Sequence, residues 1–176
     1  GHVQHARGTR QAIQRVREEA WPQAENADEL HDALMSLGAI TEPEGERSAW
    51  NGYFEELIAA RRAGRFNAQS ARLWIAVEQL PQLQAIYPQG KLEPAATVPE
   101  EYAGRTWERE EALTELVRNR LQALGPVTSV TLAGALDLPI ADLETALLAL
   151  ERQGFVLRGQ FTPDSAQTEW CERRLL

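Results

Sequence analysis

The sequence predicts a mainly α fold with small β-hairpins, an α+β arrangement of two helical units that each end in a β-ribbon. Three observations lead there. Apolar residues recur at three- and four-residue spacing over stretches that stop on Gly or Pro. After Gly154 the period changes from helical to alternating. The same order of elements occurs on both sides of a stretch rich in Pro and Gly.

In the first half, residues 9–20 carry Ala12, Ile13, Val16 and Ala20 on one face. Asn26 with Glu29 has the form of a capping box, opening a helix with Leu30, Ala33, Leu34 and Leu37 inward and Gly38 as its stop. "TEPEGE" connects it to a helix over 49–62 with Trp50, Phe54, Leu57 and Ile58 on one face. Residues 65–77 read as a short hairpin. "EQLPQLQAIYP" then adds a helical turn or two with Leu80, Leu83 and Ile86 inward.

Residues 89–106 form the connector, and 107–176 the second unit. A helix over 108–124 has Thr106 as its expected N-cap and Leu113, Leu116, Val117, Leu121 and Leu124 inward; Gly125-Pro126 ends it. Thr128 caps a short helix with Val130, Leu132, Ala133 and Leu136 inward. Pro139 sits in the first turn of a third helix, with Ile140, Leu143, Leu147 and Leu150 on one face and Gly154 as stop. Phe155, Leu157, Gly159 and Phe161 share one side of a strand, "TPDS" supplies turn chemistry, and "TEWC" returns. Three helices and a hairpin, in that order, spell a winged helix. The likeness of "ADELHDALMSLG" to "SVTLAGALDLP" makes each the second helix of its unit, and residues 1–88 a first winged-helix-like copy. Tandem winged-helix domains are the expectation.

At 176 residues, 43% hydrophobic and 25% charged, the chain has the balance of a globular protein, with no run apolar enough to span a bilayer. One cysteine, Cys171, excludes an internal disulfide and a multi-cysteine zinc site. His2, His5 and His31 lack ligand spacing on one element and read as solvated. A reducing, cytoplasmic setting is expected. The net charge of −8 opposes nucleic-acid binding by overall field, so any phosphate contact must be local. Lys91 is the sole lysine, which leaves the arginines. Arg61, Arg62, Arg65 and Arg72 gather near the first hairpin, and Arg158, Arg173 and Arg174 near the second. Ion pairing with Glu55, Glu56, Glu169 and Glu172 is the competing role for them.

Asp28-Glu29-Leu30-His31 matches the acidic box of helicase motors letter for letter. It opens a helix instead of ending a buried strand, and no phosphate-binding glycine loop precedes it. The third helices present Asp142, Glu144 and Glu151, and Glu55 and Glu56, where a groove-reading helix would meet phosphates. Trp50, Trp74, Trp107 and Trp170 fit packing better than base stacking. No pair of carboxylates sits where acid–base catalysis needs it, so no catalytic, cofactor-binding or metal residue is assigned.

"GFVLRGQFTP…EWCERRLL" resembles a segment of the Lhr-type (large helicase-related) ATP-dependent DNA helicases. "ELHDALMSLGAITEPEGE", "ELIAARRAGRF", "LWIAVEQLPQLQAIYP", "EEALTELVRNRLQALGPVT" and "ALLALERQGFVLRG" resemble the same family in the same order, so the likeness covers 9–176. It implies a segment downstream of the motor, from a string of winged helices similar to those of certain bacterial DNA glycosylases. In that family the motor translocates on single-stranded DNA with ATP hydrolysis and is associated with DNA repair. ATP and magnesium would belong to the motor domains, with no cofactor in this segment. The expected partners are other domains of the same parent chain and single-stranded or duplex DNA backbone, without a membrane. DNA contacts would come from Arg61, Arg62, Arg65, Arg158, Arg173 and Arg174; the alternative is a tandem winged-helix protein-interaction module. Leu175 and Leu176 would begin a further helix.

Overall fold

The computed structural model describes residues 2–163 and 166–176, with side chains from residue 8 onward. The His2 and His5 side chains and the Asp164-Ser165 part of the expected turn lie outside the described residues.

Helix α1 (His2–Ala20) precedes the first repeat. The repeat comprises α2 (Ala27–Leu37), β1 (Ile40–Thr41), α3 (Glu42–Arg47), α4 (Asn51–Ala59), β2 (Ala63–Ala68) and β3 (Ala71–Ala76). A 3-10 turn (Val77–Gln79), α5 (Leu80–Ile86), β4 (Lys91–Glu93) and α6 (Glu100–Ala103) follow. The second repeat comprises α7 (Arg109–Leu124), β5 (Val127–Thr128), α8 (Ser129–Leu136), α9 (Ile140–Arg152), β6 (Val156–Gly159) and β7 (Glu169–Glu172), closed by a 3-10 turn at Arg173–Leu175. The fold is therefore mostly helical α+β with two small antiparallel sheets, ordered β1-β3-β2-β4 and β5-β7-β6.

Local chemistry explains most boundaries. The Asn26 side chain accepts the Glu29 amide at 2.8 Å and starts α2, and Gly38, with φ 80°, ends it. Thr128 accepts the Thr131 amide at 3.1 Å and starts α8. The expected cap Thr106 does not serve: Glu108 occupies the N-cap of α7 without a side-chain bond. "TEPEGE" is not a plain connector but helix α3, set by a reciprocal capping box between Thr41 and Glu44. The helix expected over 49–62 is shorter, because Trp50 is its N-cap and the backbone turns left-handed at Arg61, with φ 59°.

The internal repeat is offset by one helix from the sequence comparison. In both copies the order is helix, two-residue strand, two helices and hairpin, so α2 corresponds to α7, not to α8. The connector also takes part in the fold, since β4 pairs with β2 through Phe66↔Leu92.

Strand β3 explains how the repeats join. Alternate side chains point to opposite faces of a sheet, and both faces of β3 are covered. Trp74 and Ala76 pack with Leu30, Leu34, Phe54 and Leu57 of α2 and α4. Leu73 and Ile75 belong to a second cluster with Leu83 and Ile86 of α5, Leu116 and Leu121 of α7, and Leu132 and Leu147 of α8 and α9. Burying each such side chain contributes roughly 1.5–3 kcal/mol, and the second of these two clusters crosses both repeats. Gly45 lies where any Cβ would overlap the Trp74 ring. Gly125, with φ 67°, brings the backbone close to Arg17 of α1. Ala12, also expected inward, is exposed on α1, and two expected core positions at helix starts turn outward: Val130 is 55% and Ile140 44% exposed. Each is the second or first residue of its helix, where the apolar stripe has not yet reached the interior. Among the described residues, no helix is long and apolar enough to cross a membrane.

Candidate functional site

The six arginines expected to meet phosphate fall in two groups, Arg65 on β2 with Arg61 and Arg62 just before it, and Arg158 on β6 with Arg173 and Arg174 in the closing 3-10 turn, and most of them hold carboxylates. Arg62 Nη1 is 2.5 Å from Asp28 Oδ1. Arg65 Nε donates to Glu42 Oε1 at 2.6 Å, its Nη2 lies 3.6 Å from Glu55, and its guanidinium covers the Phe54 ring. Arg158 Nε is 2.9 Å from Glu151 Oε2, with its guanidinium over Trp170. Arg174 Nε donates to Glu172 Oε1 at 2.7 Å. Arg61 and Arg173 are exposed and make no ion pair among the described residues. Pairs open to solvent on one side contribute little stability, about 0–1 kcal/mol each, yet each sets a carboxylate beside an arginine that a phosphate would meet.

The acidic third helices are likewise engaged. Asp142 accepts from Arg109 Nη1 at 3.0 Å, and Ser129 Oγ donates to Glu144 at 3.5 Å. The Asp28-to-His31 tetrapeptide occupies the first turn of α2, with Leu30 in the core. His31 is not solvated: its Nε2 lies 2.8 Å from Glu78 Oε2 in a mostly buried contact. Trp50, Trp74 and Trp170 are buried, while Trp107 is half-buried under the Arg105 guanidinium. Trp21 adds a further layer, stacked on Trp50 at 5.8 Å. Burial, followed by the nearby Glu172 carboxylate, pushes the Cys171 thiol up to about 11. It is protonated at neutral pH and enclosed, a packing residue.

Sequence reasoning missed the most enclosed ionic contact. Arg120 of α7 is 1% exposed. Its Nη1 donates to Glu44 Oε1 at 2.8 Å and to the Ala39 carbonyl at 3.2 Å, and its Nη2 to Glu44 Oε2 at 2.9 Å. The forked pair ties α7 to α3, one repeat to the other. The signal was present: Arg120 stands between Val117 and Leu121 on the apolar stripe of its helix. Further bonds run the same way, from Tyr87 Oη to the Leu136 carbonyl, from Gln82 Nε2 to the Ala112 carbonyl, and from the Ser70 amide to Asp137.

Burial pushes the Glu44 carboxyl up, but the Arg120 charge, its two hydrogen bonds and those of Thr41 outweigh burial, so Glu44 titrates below the ordinary glutamate range. Glu42 is also held low: desolvation pushes it up, but hydrogen bonds from Arg65 and Trp74 together with the charges of Arg65 and Arg72 outweigh that. A depressed carboxylate stabilises the fold fully above its unfolded value, about 4.3. That stabilisation is lost as pH falls through the folded value. Thermal melts taken downward from neutral pH will therefore show the midpoint falling below that range. Glu44→Gln will flatten part of the slope, leaving the Glu42 contribution; an unchanged slope would show that Glu44 is not depressed.

Among the described residues, no group of three or more His, Cys, Asp or Glu side chains is arranged to hold a metal ion. A cleft of about 440 Å³ opens between the repeats, with Arg47, Arg72 and Arg120 in its wall. A larger one, about 720 Å³, lies beside α1 and carries Arg17 and Arg47 against Glu18, Glu25 and Glu44. Compared with protein-family models and with the curated proteins, the chain matches none.

Proposed function

We propose that the chain is a tandem winged-helix segment of an Lhr-type ATP-dependent DNA helicase, serving the parent enzyme as a rigid domain-packing scaffold. The observation that carries this reading is the repeated order of helix, short strand, two helices and hairpin, with the second hairpin strand lying between the short strand and the first hairpin strand in each sheet. That order is the one a winged helix requires. Catalysis is assigned to the parent's motor, and ATP and magnesium with it. DNA contact is a minor role here, resting on Arg61 and Arg173 and on whatever the paired Arg62, Arg65, Arg158 and Arg174 release. The residues point away from major-groove reading, since α4 and α9 turn carboxylates outward.

Size-exclusion chromatography with the motor region of an Lhr-type helicase is the test. Co-elution is expected, with fluorescence anisotropy on single- and double-stranded oligonucleotides giving only weak, salt-sensitive binding without sequence preference. Separate elution would overturn the scaffold. A second reading, a protein-interaction module, is favoured by the outward face of α9, where Ile140 and Leu148 are 44% and 40% exposed. It predicts capture of a partner outside the parent chain.

A further inference from the structure

The cleft between the repeats differs in charge from the others around it. Three other surface clefts each carry more carboxylates than arginines. This one has Arg47, Arg72 and Arg120 against Glu44 alone. Arg47 is exposed and has no ion pair among the described residues, while Arg72 is 70% exposed and only 3.8 Å from Glu42. The Ser70 and Thr131 side chains add hydroxyl donors to the wall. Asp137 is the other nearby carboxylate, held by the Ser70 amide at 2.9 Å.

A second observation comes from Arg120. Its two terminal nitrogens are committed to Glu44 and the Ala39 carbonyl. Its Nε–H is a buried donor with no partner, the only such side-chain atom among the described residues. A buried donor left unmade costs about 1–3 kcal/mol, and it belongs to a side chain in the wall of this cleft. Arginines beside hydroxyl donors are the chemistry that recognises a tetrahedral oxyanion. The cleft, at about 440 Å³, also has room for the groups that such an anion carries.

We propose that the inter-repeat cleft is a phosphate-binding site, with Arg47 and Arg72 holding the anion at the rim, Ser70 and Thr131 donating to its oxygens, and Arg120 polarising the floor. The site does not depend on the winged-helix assignment, and of the hairpin arginines it uses Arg72 alone. A phosphodiester of single-stranded DNA and a free phosphate share this chemistry.

The test is a nuclear magnetic resonance titration of the whole chain with inorganic phosphate and, separately, with an oligothymidylate lacking terminal phosphates. Sodium chloride at matched ionic strength serves as blank. Saturable shifts are expected at the Ser70 and Thr131 amides and at the Arg120 Nε–Hε signal. The surface variant Arg47→Gln with Arg72→Gln, which leaves the buried pair intact, is expected to weaken binding about tenfold or more. Shifts with inorganic phosphate mark a site for free phosphate; shifts with the oligonucleotide alone mark a site for the DNA backbone. If neither ligand moves these signals, or the double variant titrates as the unaltered chain does, the proposal is wrong.

Discussion

Arg120→Ala is expected to destabilise the chain by about 3–5 kcal/mol, the usual cost of leaving one partner of a buried ion pair alone. The side chain is 1% exposed and the Glu44 side chain 12%. Its removal strands a carboxylate away from water, leaves the Ala39 carbonyl without the guanidinium, and opens a void in α7. Urea unfolding read by circular dichroism measures the loss as a lower midpoint. The joint change Arg120→Met with Glu44→Gln is expected to recover much of it, because the uncompensated charge disappears and the amide still caps Thr41. A double-mutant cycle separates pair coupling from packing. Additive single effects would mean that the two groups do not stabilise each other.

Trp74→Ala is expected to cost a similar amount, about 3–5 kcal/mol, by cavity formation. The ring is fully buried, lies parallel to Phe54 at 4.0 Å between centroids, and fills the space above Gly45. Its Nε1 also donates to Glu42 at 3.4 Å. Trp74→Phe keeps the stacking and should lose clearly less by the same urea measurement; equal losses would show that the Phe54 contact carries no weight.

Residues whose chemistry is local were legible from the sequence. Asn26, Gly38, Thr128 and Gly154 mark helix ends through side-chain caps or positive φ, and each does so in the structure. The hairpin formed by β6 and β7 was legible because the period changed after Gly154. Strands β1 and β5, two residues each, carry no period at all. Helix α3 is too short to show one, and its capping box was hidden inside an apparent loop. Val130 and Ile140 fit the apolar spacing yet face solvent, because spacing does not say where a stripe begins. The offset of the repeat followed from comparing α2 with α8 by composition, when sheet order alone distinguishes them. The arginine clusters were visible, but which carboxylate each would meet is fixed by tertiary packing. Arg120 carries its signal only in its place on the apolar stripe of α7, where a buried guanidinium needs a partner.

Strand β3 shows how closely the two copies depend on each other. Stacked repeats in solenoids add stability one neighbour at a time and can fray from an end. Here the opposite sides of a single six-residue strand serve as walls for two interiors. Severing the polypeptide at the connector would leave Leu73 and Ile75 facing water on one product, and α7 without its neighbour on the other. With both faces of β3 committed, the copies are expected to melt as one cooperative body, and neither is a spare part for the other.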